Sequence, residues 1–167
     1  AAIDGSSGQP YAWNPDPGND VRTIQTTSSD IVVGGDFVTF ESKNRTRGLA
    51  FNLTTGSLTN WDPRASGFFA GVNTVAAHAT GIYVGGGFSS AGDSTRENLA
   101  ALDPNTGQAL PAILDTDGDV TGLLAWNDTM MVVGDFQNLL GADRPFAGSI
   151  NLQNQTVTSF RPVPNRE

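Results

Sequence analysis

Apolar and polar residues alternate along this chain in short runs of four to six positions, and the runs return at a fixed interval. VVGGDF from Val32 recurs as YVGGGF from Tyr83 and MVVGDF from Met131. A second signature runs AIDGSSG from Ala2, AFNLTTG from Ala50, ALDPNTG from Ala101 and, more weakly, SINLQNQ from Ser149. The underlying period is 48 residues, with one three-residue insertion between Pro63 and Val72. Each unit predicts four short strands. Val21 and Ile24, Val72 and Val75, and Val120 and Leu123 mark the first. The glycine-ended apolar run is the second, and the third ends at Asn52 or Asp103. After an Asn/Thr-Gly turn the fourth ends at Trp13, Trp61, Ala112 or Phe160. Enrichment in β-branched and aromatic residues, punctuated by Gly, Asn, Asp and Pro, is the strand-and-turn signal. No stretch sustains a 3.6-residue apolar period. Four strands in 48 residues is the repeat of a propeller blade.

V-x-x-[VIL], [YV]-V-G-G-x-F, an arginine in register (Arg45, Arg96, Arg144), L-A-x-[DN]-x-x-[TS]-G and W-x-P together resemble the delta-60 type β-propeller repeat. Such repeats occur in large secreted bacterial proteins, with a similar one in fungal cortical cell-polarity markers. The layout is also similar to kelch repeats. The resemblance spans essentially the whole chain, and departs from the pattern at Val133, Ala112 and Leu114. It implies an extracellular or cell-surface, secreted protein. The expected fold is all-β: three complete blades of four antiparallel strands plus an N-terminal outer hairpin, forming an open segment of a larger propeller. The expected divisions are 1–20 (outer hairpin and turn), 21–71, 72–119 and 120–167. The chain starts at a third strand and ends one residue before a first strand, so the remaining blades are expected from the same or another chain.

Composition narrows the task without defining it. Nine Lys+Arg against 17 Asp+Glu give a net charge of −8. That disfavours nucleic acid and anionic lipid as partners, since both need a basic face. No apolar run approaches the roughly 20 residues of a membrane-spanning helix, so no membrane insertion is expected. Cysteine is absent and His78 is the single histidine. Disulfides and thiolate chemistry are therefore excluded, and a catalytic triad or histidine metal cluster is hard to assemble.

Residues that repeat in register read as architecture. Arg45, Arg96 and Arg144 are expected to tie loops to neighbouring blades through carboxylates or carbonyls, with Asp36, Asp135, Asp103 and Asn52 as natural partners. The glycine pairs precede a strand, not a helix, so they read as sites of close approach instead of phosphate loops. Asp115, Asp117 and Asp119 alternate around Gly118. They are the one calcium-ligand candidate, although the spacing departs from an EF-hand and matches an ordinary turn in another blade. Otherwise neither cofactor nor catalytic residue is expected, and the chain reads as no enzyme. Residues that break the repeat are the better contact candidates: Phe68 and Phe69 in the inserted loop, and Trp126. Asn44, Asn52, Asn127 and Asn154 open N-x-T sequons and are glycosylation candidates in a eukaryotic secreted protein. Two functions stand: a non-catalytic scaffold for protein interaction or assembly, and a carbohydrate-binding or carbohydrate-processing propeller.

Overall fold

The computed structural model describes residues 2–12, 16, 18–68 and 70–162; within these every regular element is a strand. Three equivalent antiparallel sheets follow one another. The first blade joins β1 (Val21–Thr26), β2 (Asp30–Gly35) and β5 (Gly48–Asn52) in the order β1-β2-β5. The second joins β6 (Val72–His78), β7 (Gly81–Gly86) and β10 (Leu99–Leu102). The third joins β11 (Asp119–Trp126), β12 (Thr129–Asp135), β15 (Ala147–Asn151) and β16 (Thr156–Val157). Among the described residues, which leave out Trp13, the expected fourth strand is a strand only here. In the first two blades it is reduced to the single bridges Phe51↔Leu58 and Leu102↔Ala109. An N-terminal hairpin closes through Ile3↔Pro10.

The connection from second to third strand holds a small hairpin that the sequence pattern does not announce. These are β3 (Thr39–Phe40) with β4 (Lys43–Asn44), β8 (Ser90–Ala91) with β9 (Ser94–Thr95), and β13 (Asn138–Leu139) with β14 (Ala142–Asp143). Both central residues of each turn have positive φ: Glu41 and Ser42, Gly92 and Asp93, Leu140 and Gly141. That is a type I′ geometry, whose twist matches the strands it joins.

Two of the three apolar clusters lie between blades, and the third, Val33, Phe37, Phe40, Leu49 and Phe51, lies within the first blade. Val32, Ala50 and Trp61 of the first blade pack with Val72, Val75, Ile82, Val84 and Leu102 of the second. Ala76, Tyr83, Leu99 and Ala101 of the second pack with Val120, Met130, Val132 and Ile150 of the third. Because successive side chains of a strand point to opposite faces, Leu99 and Ala101 serve one seam while Ala100 and Leu102 serve the other. The second blade is thus buried on both faces, and β7 and β10 are buried throughout. Trp61, 1 % exposed, is the largest fully buried side chain among the described residues. A first-strand bulge recurs at Val21/Thr23, Val72/Thr74 and Val120/Gly122.

Candidate functional site

The repeated polar side chains close turns and fasten edges. Asp4, Asn52, Asp103 and Asn151 begin equivalent turns. Their Oδ1 atoms accept the backbone N–H groups two and three residues on: 3.0 and 2.7 Å at Asp4, 3.0 and 3.0 Å at Asn52, 2.9 and 2.8 Å at Asp103, 3.0 and 3.1 Å at Asn151. These are Asx turns, in which a side chain stands in for a carbonyl. Hydrogen bonds from Thr106 N–H first, then Asn105 N–H and the Thr106 hydroxyl, hold the Asp103 carboxyl below the usual carboxylate range, against an opposing desolvation second only to the Thr106 N–H bond. Asp4 is lowered likewise, foremost by the Tyr11 hydroxyl at 2.7 Å, and Asp4 in turn raises Tyr11.

Of the partners expected for the in-register arginines, the structure supplies carbonyls, and it corrects the neighbouring blade and the carboxylates. Each fork stays in its own blade and donates to two carbonyls. Arg45 reaches Asn44 O and Thr59 O (2.8 and 3.0 Å), Arg96 Thr95 O and Leu110 O (2.7 and 2.9 Å), Arg144 Asp143 O and Thr158 O (2.8 and 3.0 Å). The small hairpin is thereby laced to the outer edge of its sheet. Asp36 instead takes Arg22, with Nη2 at 2.5 Å and Nε at 3.0 Å.

The run around Gly118 is also engaged in fastening. Asp117 accepts the N–H groups of Gln137 and Asn138, both at 2.8 Å, and the Asn138 side-chain amide at 2.7 Å. These bonds, Asn138 foremost, lower its pKa. The Asp115 carbonyl accepts Leu140 N–H, and Asp119 pairs with Asp135 at the start of β11. Among the described residues, no group of three or more His, Asp or Glu is placed to hold a metal ion.

The contact candidates are not brought together. Phe68 lies before β6 and Trp126 ends β11; as equivalent first strands, these place the two residues at opposite ends of the blades. Phe68 is 94 % exposed and Trp126 70 % exposed. Phe69 lies outside the described residues. Asn44, Asn127 and Asn154 are exposed, whereas Asn52 is half-buried with its side-chain oxygen committed to its turn.

Sequence reasoning set His78 aside, but the structure places it in a cleft of about 590 Å³ between the first two blades, beside Thr27, Ser29, Asp30 and Asn105. Thr80 N–H donates to His78 Nδ1 (3.2 Å), and the Thr80 hydroxyl lies within hydrogen-bond distance of both His78 Nδ1 (2.7 Å) and the Tyr83 hydroxyl (2.7 Å). The imidazole is held by this relay, with no carboxylate partner in hydrogen-bond reach among the described residues. Its place in a cleft arises from blade packing, which a lone histidine in a sequence does not signal.

No family model matches the sequence, and no curated protein matches it. Among solved structures the chain is similar to the WD40 domain of Pan2 from Neurospora crassa. The TM-score is 0.55 and the identity 16 %, over 92 % of this chain and 44 % of that one. The chain thus spans less than half the length of that neighbour, and the likeness is one of fold. The architecture is that of β-propeller blades.

Proposed function

We propose that this chain is a non-catalytic scaffold, a set of propeller blades within a longer extracellular or cell-surface protein, presenting its loops to other proteins. The observation that carries the reading is where the polar chemistry goes. The recurring Asp, Asn and Arg side chains are spent on the protein's own backbone, while the non-repeating Phe68 and Trp126 stand exposed at the loop ends. Propellers host many unrelated tasks, so function belongs to such departures and not to the repeat. The repeat is of the delta-60, kelch-like kind, which is consistent with a secreted protein. The acidic balance and the exposed sequon residues Asn44, Asn127 and Asn154 fit that setting.

Carbohydrate binding is the second reading, favoured by the same aromatics and by the hydroxyl-rich cleft beside His78. A glycan array probed with the 167-residue chain separates the two. The scaffold reading expects no saturable glycan binding. Binding lost in Phe68→Ala, Trp126→Ala or His78→Ala would replace it with glycan recognition. Protease treatment of intact producing cells should remove the protein; full protection inside the cell would reject a surface role.

A further inference from the structure

Each seam between blades is keyed by one pair of cross-strand neighbours. Thr23 lies opposite Gly34 in the first blade, and Thr74 opposite Gly85 in the second. The threonine hydroxyl accepts an amide of the following blade: Val75 N–H to Thr23 Oγ1 at 3.2 Å, Leu123 N–H to Thr74 Oγ1 at 3.1 Å. The glycine leaves a socket for the following blade's valine. A β-carbon on Gly34 would stand 2.5 Å from Val72 Cγ1, and one on Gly85 would stand 2.5 Å from Val120 Cγ1. Both distances lie far inside van der Waals contact.

The third blade reverses the key. Its equivalent pair is Gly122 opposite Val133. A β-carbon on Gly122 would meet Val133 Cγ2 at 2.7 Å, so the Val133 side chain fills room that threonine occupies elsewhere. The hydroxyl acceptor is gone and a knob stands where the other blades have a socket. Leu124 (60 % exposed) and Val133 (41 % exposed) share this face with Trp126. The next glycine is retained as Gly134, because a β-carbon there would lie 2.1 Å from the Asp119 carbonyl oxygen within the same blade. Only the residue that faces outward has changed.

We propose that the outward face of the third blade docks a further propeller blade of a different key. Its inner strand carries glycine or alanine where Val72 and Val120 stand, and a blade with the key of this chain's own is refused. The inference rests on the propeller architecture and is independent of the scaffold function. A blade is the occupant because the face continues two established seams, with the same strands and the same bulge. The length of Leu124 does not discriminate: Gln25, equally long, holds the equivalent position in the first blade, half-buried. Discrimination falls on Val133.

The test appends a duplicate of residues 72–119 after Glu167, so that the copy's Val72 falls one repeat beyond Val120. Three proteins are compared: the copy unchanged, the copy with its Val72→Gly, and the unchanged copy on a Gly122→Thr/Val133→Gly host. Docking is read as a blue shift of the Trp126 emission, identified by its loss in Trp126→Phe, and as amide exchange of the copy's inner strand slowed about tenfold or more. Docking of the glycine copy and of the re-keyed host, but not of the unchanged copy, is expected. Should the re-keyed host lose amide protection in β7, the comparison of the first two proteins decides. Equal docking of valine and glycine copies overturns the key while leaving the blade series intact. Docking confined to the re-keyed host overturns the proposal by marking the face as closed to blades. Failure of every copy to dock overturns both the proposal and the reading of this face as a blade seam.

Discussion

At the scale of single residues, a guanidinium that spans two carbonyls does what a carboxylate pair would do, without burying a second charge. Arg96 joins Thr95 O to Leu110 O, and Arg45 and Arg144 make the same span in their blades. Arg96→Ala should leave the half-buried Leu110 carbonyl without this donor and cost about 1–3 kcal/mol, read as a lowered urea midpoint. Arg96→Lys should recover little, since an ammonium cannot present the fork. An unchanged midpoint in Arg96→Ala would sink this role. The recurrence of the arginines, and carbonyls as one kind of partner, were legible in the sequence, but which carbonyls, and that they lie in the same blade, were not, because backbone carbonyls carry no residue signature. The weak fourth copy of the turn signature has a similarly local cause. Gln155 holds positive φ (58°) where Gly8, Gly56 and Gly107 stand in the other turns. A side chain there carries left-handed strain of about 1–2 kcal/mol, partly offset by the entropy that glycine loses on folding. Gln155→Gly should therefore raise stability by up to about 1 kcal/mol, seen as a higher melting temperature; a lower one would contradict it.

At the scale of elements, the long strands were readable because a four-residue apolar run closed by glycine is a pattern, whereas β3–β4 and its equivalents offer only two residues per strand. Their I′ turns hide the signal further: Glu41-Ser42 has neither the glycine nor the asparagine that ordinarily betrays such a turn. What seats the third small hairpin is Asp117, through three hydrogen bonds to Gln137 and Asn138. Those bonds, the Asn138 amide first, lower the folded-state pKa below the ordinary value of about 3.9. The stabilisation is therefore complete above the ordinary carboxylate range and disappears as pH falls through the lowered folded value. Amide proton shifts of Gln137 and Asn138 should titrate with a midpoint below the ordinary aspartate value, and Asp117→Ala should abolish that titration. A midpoint at or above the ordinary value would show that the bonds do not favour the charged carboxyl. The same arrangement bears on the calcium candidate. A cation would have to draw Asp117 away from three donors, so millimolar calcium should leave the melting temperature unchanged, and a rise of several degrees would show a metal site.

At the scale of the whole molecule, besides a cluster within the first blade (Val33, Phe37, Phe40, Leu49 and Phe51), two hydrophobic clusters straddle the blades. This is the thermodynamics of a repeat array, in which stability is divided between units and the interfaces joining them. The second blade contributes to both seams: Val84 and Leu102 to one, Tyr83 and Leu99 to the other. The inner strands β1 and β11 of the flanking blades keep exposed positions along one face. Apolar area removed from water sets most of the stabilisation. Opening the second blade therefore disrupts two seams, and opening either flanking blade disrupts one. Amide exchange in the 167-residue chain should be slowest in β7 and β10 and faster in β1 and β11. Leu102→Ala, at a fully buried site of the first seam, should cost about 2–5 kcal/mol. It should speed exchange in the first and second blades together and in the third to a smaller extent, because the second seam still holds β11 and β12 against Tyr83 and Leu99. Exchange that rises equally in all three blades would mean that the array unfolds as a single cooperative unit. A rise confined to β10 would mean that the seams do not couple the blades at all.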